Sequence, residues 1–186
     1  MHTRITVSLL TMAAITAGIA VVAVGQQAAP LAAKEQAFLR ALEGSWDATV
    51  SMQMEPGTPA TLSTGIEKIT ATCGGLWLMS EFKSELKGQS FEGRGMIGYD
   101  SNKKKIVTAW VDSMQSWIST TEGTLDASGK KLTSLSEQPD PQTGKPKLMK
   151  MLEEHIDADT RRYSMSTAGP DGKDTIIMTI TYKRRP

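Results

Sequence analysis

The hairpin that decides the fold spans Leu76–Tyr99 and reads LWLMSEFKSELKGQSFEGRGMIGY. Up to Leu86 most apolar side chains fall on one face of an extended strand, and charged side chains such as Glu81 fall on the other. This period of two residues is typical of a strand that is buried on one side. Lys87-Gly88 then supplies a turn that brings a second strand back beside the first. The stretch therefore predicts two antiparallel strands joined by a short connection.

The same alternation of strand and turn continues in both directions from this hairpin. Turn signals separate ten β-type segments: Trp46–Met54, Gly65–Thr72, Leu76–Leu86, Phe91–Tyr99, Ile106–Gln115, Trp117–Leu125, Lys131–Glu137, Leu148–Ile156, Arg162–Thr167 and Thr175–Lys183. An antiparallel meander of this many strands must either close on itself or split into two packed sheets. We predict closure, which gives an all-β fold: an antiparallel barrel of about eight to ten strands.

The first residues of the chain have a different composition. Arg4 precedes a run of apolar and small residues, Ile5–Val24, that contains no carboxylate. Residues 1–25 are therefore predicted to be a signal peptide, with an uncleaved membrane anchor as the alternative. A signal peptide predicts a periplasmic or secreted location.

A linker and one short amphipathic helix are predicted for residues 26–44. The helix covers Leu31–Glu43, and Gly44 ends it. It either caps an apolar opening of the barrel or acts as a lid over a ligand cavity. Residues 45–186 are the predicted barrel domain.

The charge balance and the cysteine content exclude several classes of protein. The 186 residues include 21 Lys and Arg against 20 Asp and Glu, a formal net charge of +1. A nucleic-acid-binding protein normally carries a basic excess, so this class is not expected. Cys73 is the single cysteine, which excludes a disulfide framework and a cysteine-rich metal site. We expect Cys73 to be buried and inert.

A sequence motif at the start of the barrel carries a family resemblance. Gly44-Ser45-Trp46 resembles the Gly-x-Trp motif that opens the barrel of lipocalins and related calycins. In lipocalins the indole closes one end of the barrel, and a basic residue late in the chain packs over it. The candidates for that residue here are Lys183, Arg184 and Arg185.

Further motifs make the resemblance more specific, and they occur in the order Met54-Glu-Pro-Gly57, Cys73-Gly-Gly75, Phe91-Glu-Gly-Arg-Gly95, Gly98-Tyr-Asp100, Trp110-Val-Asp-Ser113 and Asp140-Pro-Gln-Thr-Gly-Lys145. Together they resemble the secreted bacterial proteins of the domain of unknown function 1579 family, over roughly Leu39 to Arg184. The resemblance implies a calycin-like β-barrel in an exported bacterial protein. It brings no established activity.

The interior of the barrel is the predicted binding site. Tryptophan rings inside a barrel offer a stacking surface for a flat apolar ligand. Asp112 shares a strand face with Trp110, and Arg94 or Arg162 is positioned in the sequence to pair with it or to hold an acidic group of a ligand. The candidate ligand-binding residues are Trp46, Trp77, Arg94, Tyr99, Trp110, Asp112 and Met114.

His155 and the methionines suggest a weaker alternative, the binding of haem or copper. His155 shares a strand face with Met149, Met151 and Glu153. Met52-x-Met54 and Met149-x-Met151 each place two thioethers on one side of a strand. Such pairs need partners from neighbouring strands before they can hold copper, so we favour pocket lining and expect no metal and no cofactor.

We therefore expect an exported barrel that binds a small apolar molecule. It is expected to contact no nucleic acid and to meet a membrane only through an uncleaved leader. One alternative is an enzyme that uses a polar cluster of Asp112, Arg94 and Tyr99, although no spacing identifies an acid/base pair. Another is a structural or interaction domain with a filled barrel and an outer apolar patch, for example a homodimer.

Overall fold

The computed structural model describes residues 33–53, 58–86, 88–140, 144–168 and 174–186. The predicted leader and linker lie outside the described residues. One helix, α1, spans Ala33–Leu42. The ten strands are β1 Gly44–Met52, β2 Thr61–Thr72, β3 Trp77–Leu86, β4 Gln89–Asp100, β5 Lys105–Asp112, β6 Gln115–Leu125, β7 Lys131–Pro139, β8 Pro146–His155, β9 Thr160–Ala168 and β10 Asp174–Arg184. Within these ranges no helix has the length and apolar character needed to cross a membrane.

The ten strands form one closed antiparallel barrel. Each strand pairs with the next, and β1 pairs with β10 from Trp46 opposite Arg184 to Met52 opposite Met178. The predicted closure and strand number are confirmed. The seam between β6 and β7 is shorter than the others, because it pairs only Glu122–Leu125 with Leu132–Leu135.

Helix α1 covers one end of the barrel, which we call the covered end; the opposite end is the far end. Phe38, Leu39 and Leu42 lie on one face of the helix, since they are spaced three and four residues apart, and all three are buried. They pack on inward-facing side chains of five strands: Ile69, Leu78, Ile106, Leu125 and Leu132. The helix therefore closes the covered end by apolar packing, as predicted for the cap.

A second apolar cluster fills the barrel nearer β1 and β10. It consists of Trp46, Ala48, Val50, Phe82, Ile180 and Tyr182. The members on one strand are two residues apart, which is the period expected of the inward face. Directly paired residues of adjacent strands share a face, so the register of the strands paired with β1 and β10 identifies their inward residues too.

A tight corner joins α1 to β1 at Gly44-Ser45-Trp46. Gly44 has a φ of +124°, and a Cβ atom there would lie 2.6 Å from Arg184 Nη1, so the position favours glycine for both reasons. The Trp46 indole N–H donates to the carbonyl oxygen of Leu42 at 2.9 Å. The corner thus fixes the indole under the end of the helix.

Arg184 is the basic residue that packs over this indole. Its guanidinium carbon lies 4.1 Å from the centre of the Trp46 ring. Its Nη1 and Nη2 donate to the carbonyl oxygens of Glu43 and Ala41 at 2.7 and 3.0 Å. Carbonyls at a helix C-terminus lack partners within the helix and favour a nearby cation. Arg184 therefore links the last strand, the first strand and the helix.

Cys73 corrects the expectation of a buried thiol, because its side chain is exposed. It opens the short turn Cys73–Gly75 between β2 and β3 and has a φ of 51°. A turn at the rim of the barrel leaves the side chain in solvent.

Replacing Arg184 is expected to destabilise the fold. Arg184→Ala removes the hydrogen bonds to the helix C-terminus and the contact with Trp46, so the free energy of unfolding should fall by about 3 kcal/mol. Arg185→Ala is the matched control, since Arg185 only forms an exposed ion pair with Asp47 at 3.0 Å and should cost under about 1 kcal/mol. Urea unfolding of both variants measures this difference, and equal losses would contradict the assigned role.

Candidate functional site

A buried ionic cluster lies inside the barrel at the covered end. Arg161 of β9 is only 3% exposed, and it forms ion pairs with two carboxylates on other strands. Its Nη1 donates to Glu153 Oε1 of β8 at 3.0 Å, and its Nη2 donates to Glu67 Oε2 of β2. The hydroxyl of Ser80 donates to the other oxygen of Glu67. The cluster therefore connects four strands that are not all neighbours.

Two aromatic rings hold the guanidinium of Arg161 in place. Its central carbon lies 3.6 Å from the centre of the Tyr182 ring and 4.8 Å from that of Trp46. Aromatic faces attract cations, and the attraction grows when the group is out of water. Trp46 therefore contacts Arg161 as well as Arg184.

Burial and charge change the titration of this cluster. Burial raises the pKa of Glu153 to about 7, although Arg161 works in the opposite direction. Burial opposes the charge of Arg161, but the carboxylates of Glu153 and Glu67 outweigh it and raise the pKa of the guanidinium. Burial and Glu153 also raise the pKa of Tyr163, which faces Glu153 across β8 and β9. Glu153 is thus expected to change protonation near neutral pH.

His155 lies next to this cluster, two residues further along β8. Its ring stacks on Phe38 of α1 with 4.4 Å between ring centres. Burial, together with the charges of Arg161 and Arg184, lowers its pKa to about 4. The imidazole is therefore neutral at neutral pH and has one donor and one acceptor nitrogen.

A cavity of about 240 Å³ adjoins the cluster, and its walls are formed by Ala41, Trp46, Lys130, His155, Asp157, Ala158 and Arg161. Two buried nitrogens of these wall residues, Arg161 Nε and His155 Nε2, have no hydrogen-bond partner among the described residues. Buried polar atoms are normally paired with protein, water or a ligand. Arg161 and His155 therefore each place a buried, unpaired nitrogen beside the cavity whose wall they help to form.

Two of the predicted site residues, Trp77 and Arg94, lie on the outside of the barrel, which corrects their assignment to the interior. The Trp77 ring covers Gly98, where a Cβ atom would lie 2.3 Å from Trp77 Cε3. Arg94 pairs with Glu81 of the neighbouring strand at 3.3 Å. Leu78 next to Trp77, and Gly93 and Gly95 on either side of Arg94, face inward, so alternation turns both residues outward.

The predicted residues of β5 lie at the far end. Trp110 faces the interior and lies across Gly93 and Gly95, whose missing side chains make room for the ring. Its indole N–H donates to Asp112 at 3.0 Å, and Asp112 also accepts from the backbone N–H of Met114 at 2.8 Å. Met114 itself is in the turn after β5 and is 67% exposed, which corrects its assignment to the interior. Asp112 thus stabilises a turn.

The predicted polar cluster of Asp112, Arg94 and Tyr99 does not form. Tyr99 packs against the apolar cluster under α1. It is six residues from Gly93, the register partner of Asp112, which is about 20 Å along a strand. Of the seven predicted residues, Trp46 is the one that lines the cavity.

Sequence reasoning missed Glu67 and Arg161. The available signal was a charged residue on an inward face. Glu67 lies on the same strand face as Gly65 and Ile69, and Arg161 lies on the same strand face as Tyr163. Arg162, which was considered instead, points outward and pairs with Glu154 at 2.8 Å. A shift of one residue along a strand exchanges the two faces.

The haem and metal alternatives have little support at His155. Phe38 covers one face of the imidazole and Nε2 is buried, so a macrocycle on that nitrogen would require α1 to move. In the part of the chain that the structure describes, no group of three or more His, Cys, Asp or Glu residues is arranged to hold a metal ion.

The fold and the covered end define a ten-stranded antiparallel barrel that is closed by an N-terminal helix and has a buried arginine at its core. The chain belongs to the family described as "Protein of unknown function (DUF1579)", which matches residues 32–184. This confirms the resemblance seen in the motifs.

A solved structure shares the fold. The chain is similar to the crystal structure of Rv2717c from M. tuberculosis, with 15% sequence identity and a TM-score of 0.60. The similarity covers 84% of this chain and 100% of the other chain. No curated protein matches the sequence.

The pH dependence of stability is expected to report the ionic cluster. Between about pH 4.5 and 6.5 the raised pKa of Glu153 makes stability fall with pH, because the folded state holds a proton that the unfolded state has lost. The lowered pKa of His155 makes stability rise over the same range, so the two contributions oppose each other. Glu153→Gln leaves the contribution of His155 alone, and stability should then rise across this range by on the order of 1 kcal/mol, because solvent partly screens this half-buried ring.

Denaturant unfolding at several pH values measures these slopes. Glu154→Gln is the control, because Glu154 faces outward beside Lys131 and Arg162 and its pKa is lowered by them. Its profile above pH 5 should run parallel to that of the wild type. Parallel profiles for Glu153→Gln as well would show that Glu153 titrates like a carboxyl group in water.

Proposed function

We propose that the protein binds a small molecule in the cavity at the covered end. The observation that carries the proposal is a cavity of about 240 Å³ whose wall includes Arg161 and His155, each with a buried nitrogen that has no partner among the described residues. A preformed cavity with few convergent polar groups is the usual form of a ligand site. The fold analogy by itself supports no activity.

The lining indicates the chemistry of the ligand. Arg161 Nε is a donor and neutral His155 can donate or accept, so the ligand carries a hydrogen-bond acceptor such as a carbonyl or carboxylate oxygen. Ala41, Ala158 and Trp46 favour an apolar body. The volume equals roughly eight water molecules, which limits the ligand to a small compound. The proposed ligand is therefore a small amphipathic molecule with an oxygen acceptor, rather than a purely apolar one.

The ionic cluster positions the donor in this proposal. Glu67 and Glu153 occupy both terminal nitrogens of Arg161, which leaves Nε as the free donor. Tyr182 and Trp46 fix the plane of the guanidinium. A donor that is fixed before binding loses little entropy when the ligand arrives.

Filling the cavity is expected to weaken binding. Ala41 of α1 lines the cavity, so Ala41→Leu places a larger side chain in it and should weaken binding at least tenfold. Ala37→Leu is the matched control, because Ala37 is exposed on the same helix and leucine is a good helix former. Benzoate, benzyl alcohol and toluene are the probes, and their binding is followed by tryptophan fluorescence and by NMR shifts of His155.

Benzoate and benzyl alcohol should bind more tightly than toluene, because only they offer an oxygen acceptor. Two results would contradict the proposal. No saturable binding of any probe, or equal binding to both leucine variants, would overturn the assignment of the cavity.

A second candidate function is self-association through the outer face of β3, β4 and β5. Outward apolar residues of these strands lie side by side in a row: Met79, Met96 and Ala109 are register partners, and Trp77, Val107 and Val111 lie beside them. Two ion pairs lie beside this row, one between Arg94 and Glu81 and one between Lys83 and Glu92, so both positive and negative charges border it. A two-fold axis brings such a face against its own copy with opposite charges in reach, so the occupant proposed is a second copy of this chain.

Light scattering after size exclusion tests this second candidate. Met96 is 44% exposed at the centre of the row, so Met96→Lys should convert a dimer to a monomer. Leu62→Lys is the control, since Leu62 is exposed on the outer face of β2, away from this row. A monomeric wild-type protein at micromolar concentration would contradict the candidate.

A further inference from the structure

Four methionines stand side by side across four adjacent strands inside the barrel. Met151 of β8 is the register partner of Met165 of β9, and Met165 is the partner of Met178 of β10. Met178 is in turn the partner of Met52 of β1. Met149 lies two residues from Met151 on the same face of β8. We call these five residues the methionine row; Met54 lies outside the described residues.

The methionine row faces the interior. Met149 and Met151 are buried, and the residues between and beside them on β8 are more exposed. Met178 packs against the second apolar cluster, which contains Trp46. Met52 continues the inward positions of β1, two residues beyond Val50. Met165 continues those of Arg161 and Tyr163 on β9.

The spacing allows the thioethers to converge. Adjacent strands lie about 4.8 Å apart, and directly opposed residues have Cα atoms about 4.5–5.5 Å apart. Methionine has three rotatable bonds beyond the backbone, so neighbouring sulfur atoms can turn toward a common point. Met52, Met165 and Met178 are half-buried, which leaves a path for a small ion from solvent.

The chemistry of the row selects a soft monovalent cation. Thioether ligands are neutral and polarisable and prefer Cu(I), whereas Ca²⁺, Mg²⁺ and Mn²⁺ require oxygen ligands. Glu153, the inward carboxylate on β8 nearest to the row, is already paired with Arg161. Because the thioether ligands are neutral, burying a singly charged cation among them costs less desolvation free energy than burying a doubly charged one. We propose that the methionine row is a Cu(I)-binding site, separate from the cavity at the covered end.

Cu(I) binding is tested on the full chain with the Cys73→Ser substitution, because the exposed thiol of Cys73 is itself a soft ligand. Competition with a Cu(I) chelator under anaerobic conditions gives the affinity. Ag(I) serves as a redox-inert probe for NMR of ¹³C-labelled methionine methyl groups. Ag(I) should shift the methyl signals of the row and leave those of Met79, Met96 and Met114 unchanged.

A matched pair of double variants separates a metal site from apolar packing. Met151→Leu with Met165→Leu removes two sulfur atoms from the row and nearly conserves volume, so the fold should be retained. Met79→Leu with Met96→Leu removes two sulfur atoms from register partners on the outer face. The inner pair should weaken Cu(I) binding at least 100-fold, and the outer pair less than threefold.

Three results would overturn the proposal. They are Cu(I) binding too weak to compete with the chelator, equal affinity in both double variants, and Ag(I) shifts that fall on the outer methionines. The NMR result needs no substitution in the row, so it decides the question even if the inner double variant fails to fold.

Discussion

The guanidinium of Arg161 lies out of water at the covered end, where an unpaired charge would cost many kcal/mol of folding free energy. Glu67 and Glu153 supply opposite charge from two other strands, and Tyr182 and Trp46 supply aromatic faces. These partners meet only when the barrel is closed, because the pairing of β1 with β10 brings β1, β2 and β3 next to β8, β9 and β10. The pairing of β1 with β10 and the burial of Arg161 therefore depend on each other.

The two ends of the barrel have different chemistry as a result. The covered end combines apolar packing under α1 with the ionic cluster and with a cavity beside two unpaired, buried nitrogens. Further along β8, β9, β10 and β1 the inward side chains include the methionine row, whose thioethers are neutral and soft. A charged or polar guest suits the first region, and a soft cation suits the second. One fold thus carries two separate candidate sites.

Much of the fold could be predicted from the sequence, because hydrophobic alternation and turn residues are local signals. The approximate strand count follows from them, and the closure that we preferred to two packed sheets is confirmed. The role of Gly44-Ser45-Trp46 was implied by the resemblance to lipocalins, and Arg184 packs over the indole as that resemblance implied. The site was harder to predict, since the exact register of each strand decides which of its side chains point into the barrel. The predicted strand started at Arg162, whereas β9 starts at Thr160, and this hid the inward Arg161. The pairing of Glu67 with Arg161, 94 residues apart, carries no local signal.

Carboxyl and imidazole titration by ¹³C and ¹⁵N NMR tests the central claim most directly, namely that a buried ionic cluster organises the covered end. In the folded protein Glu153 should titrate with a midpoint near pH 7, and His155 should stay neutral down to about pH 4. Midpoints at the ordinary values, about 4.3 for Glu and about 6.5 for His, would contradict the account, because both groups would then be in contact with water.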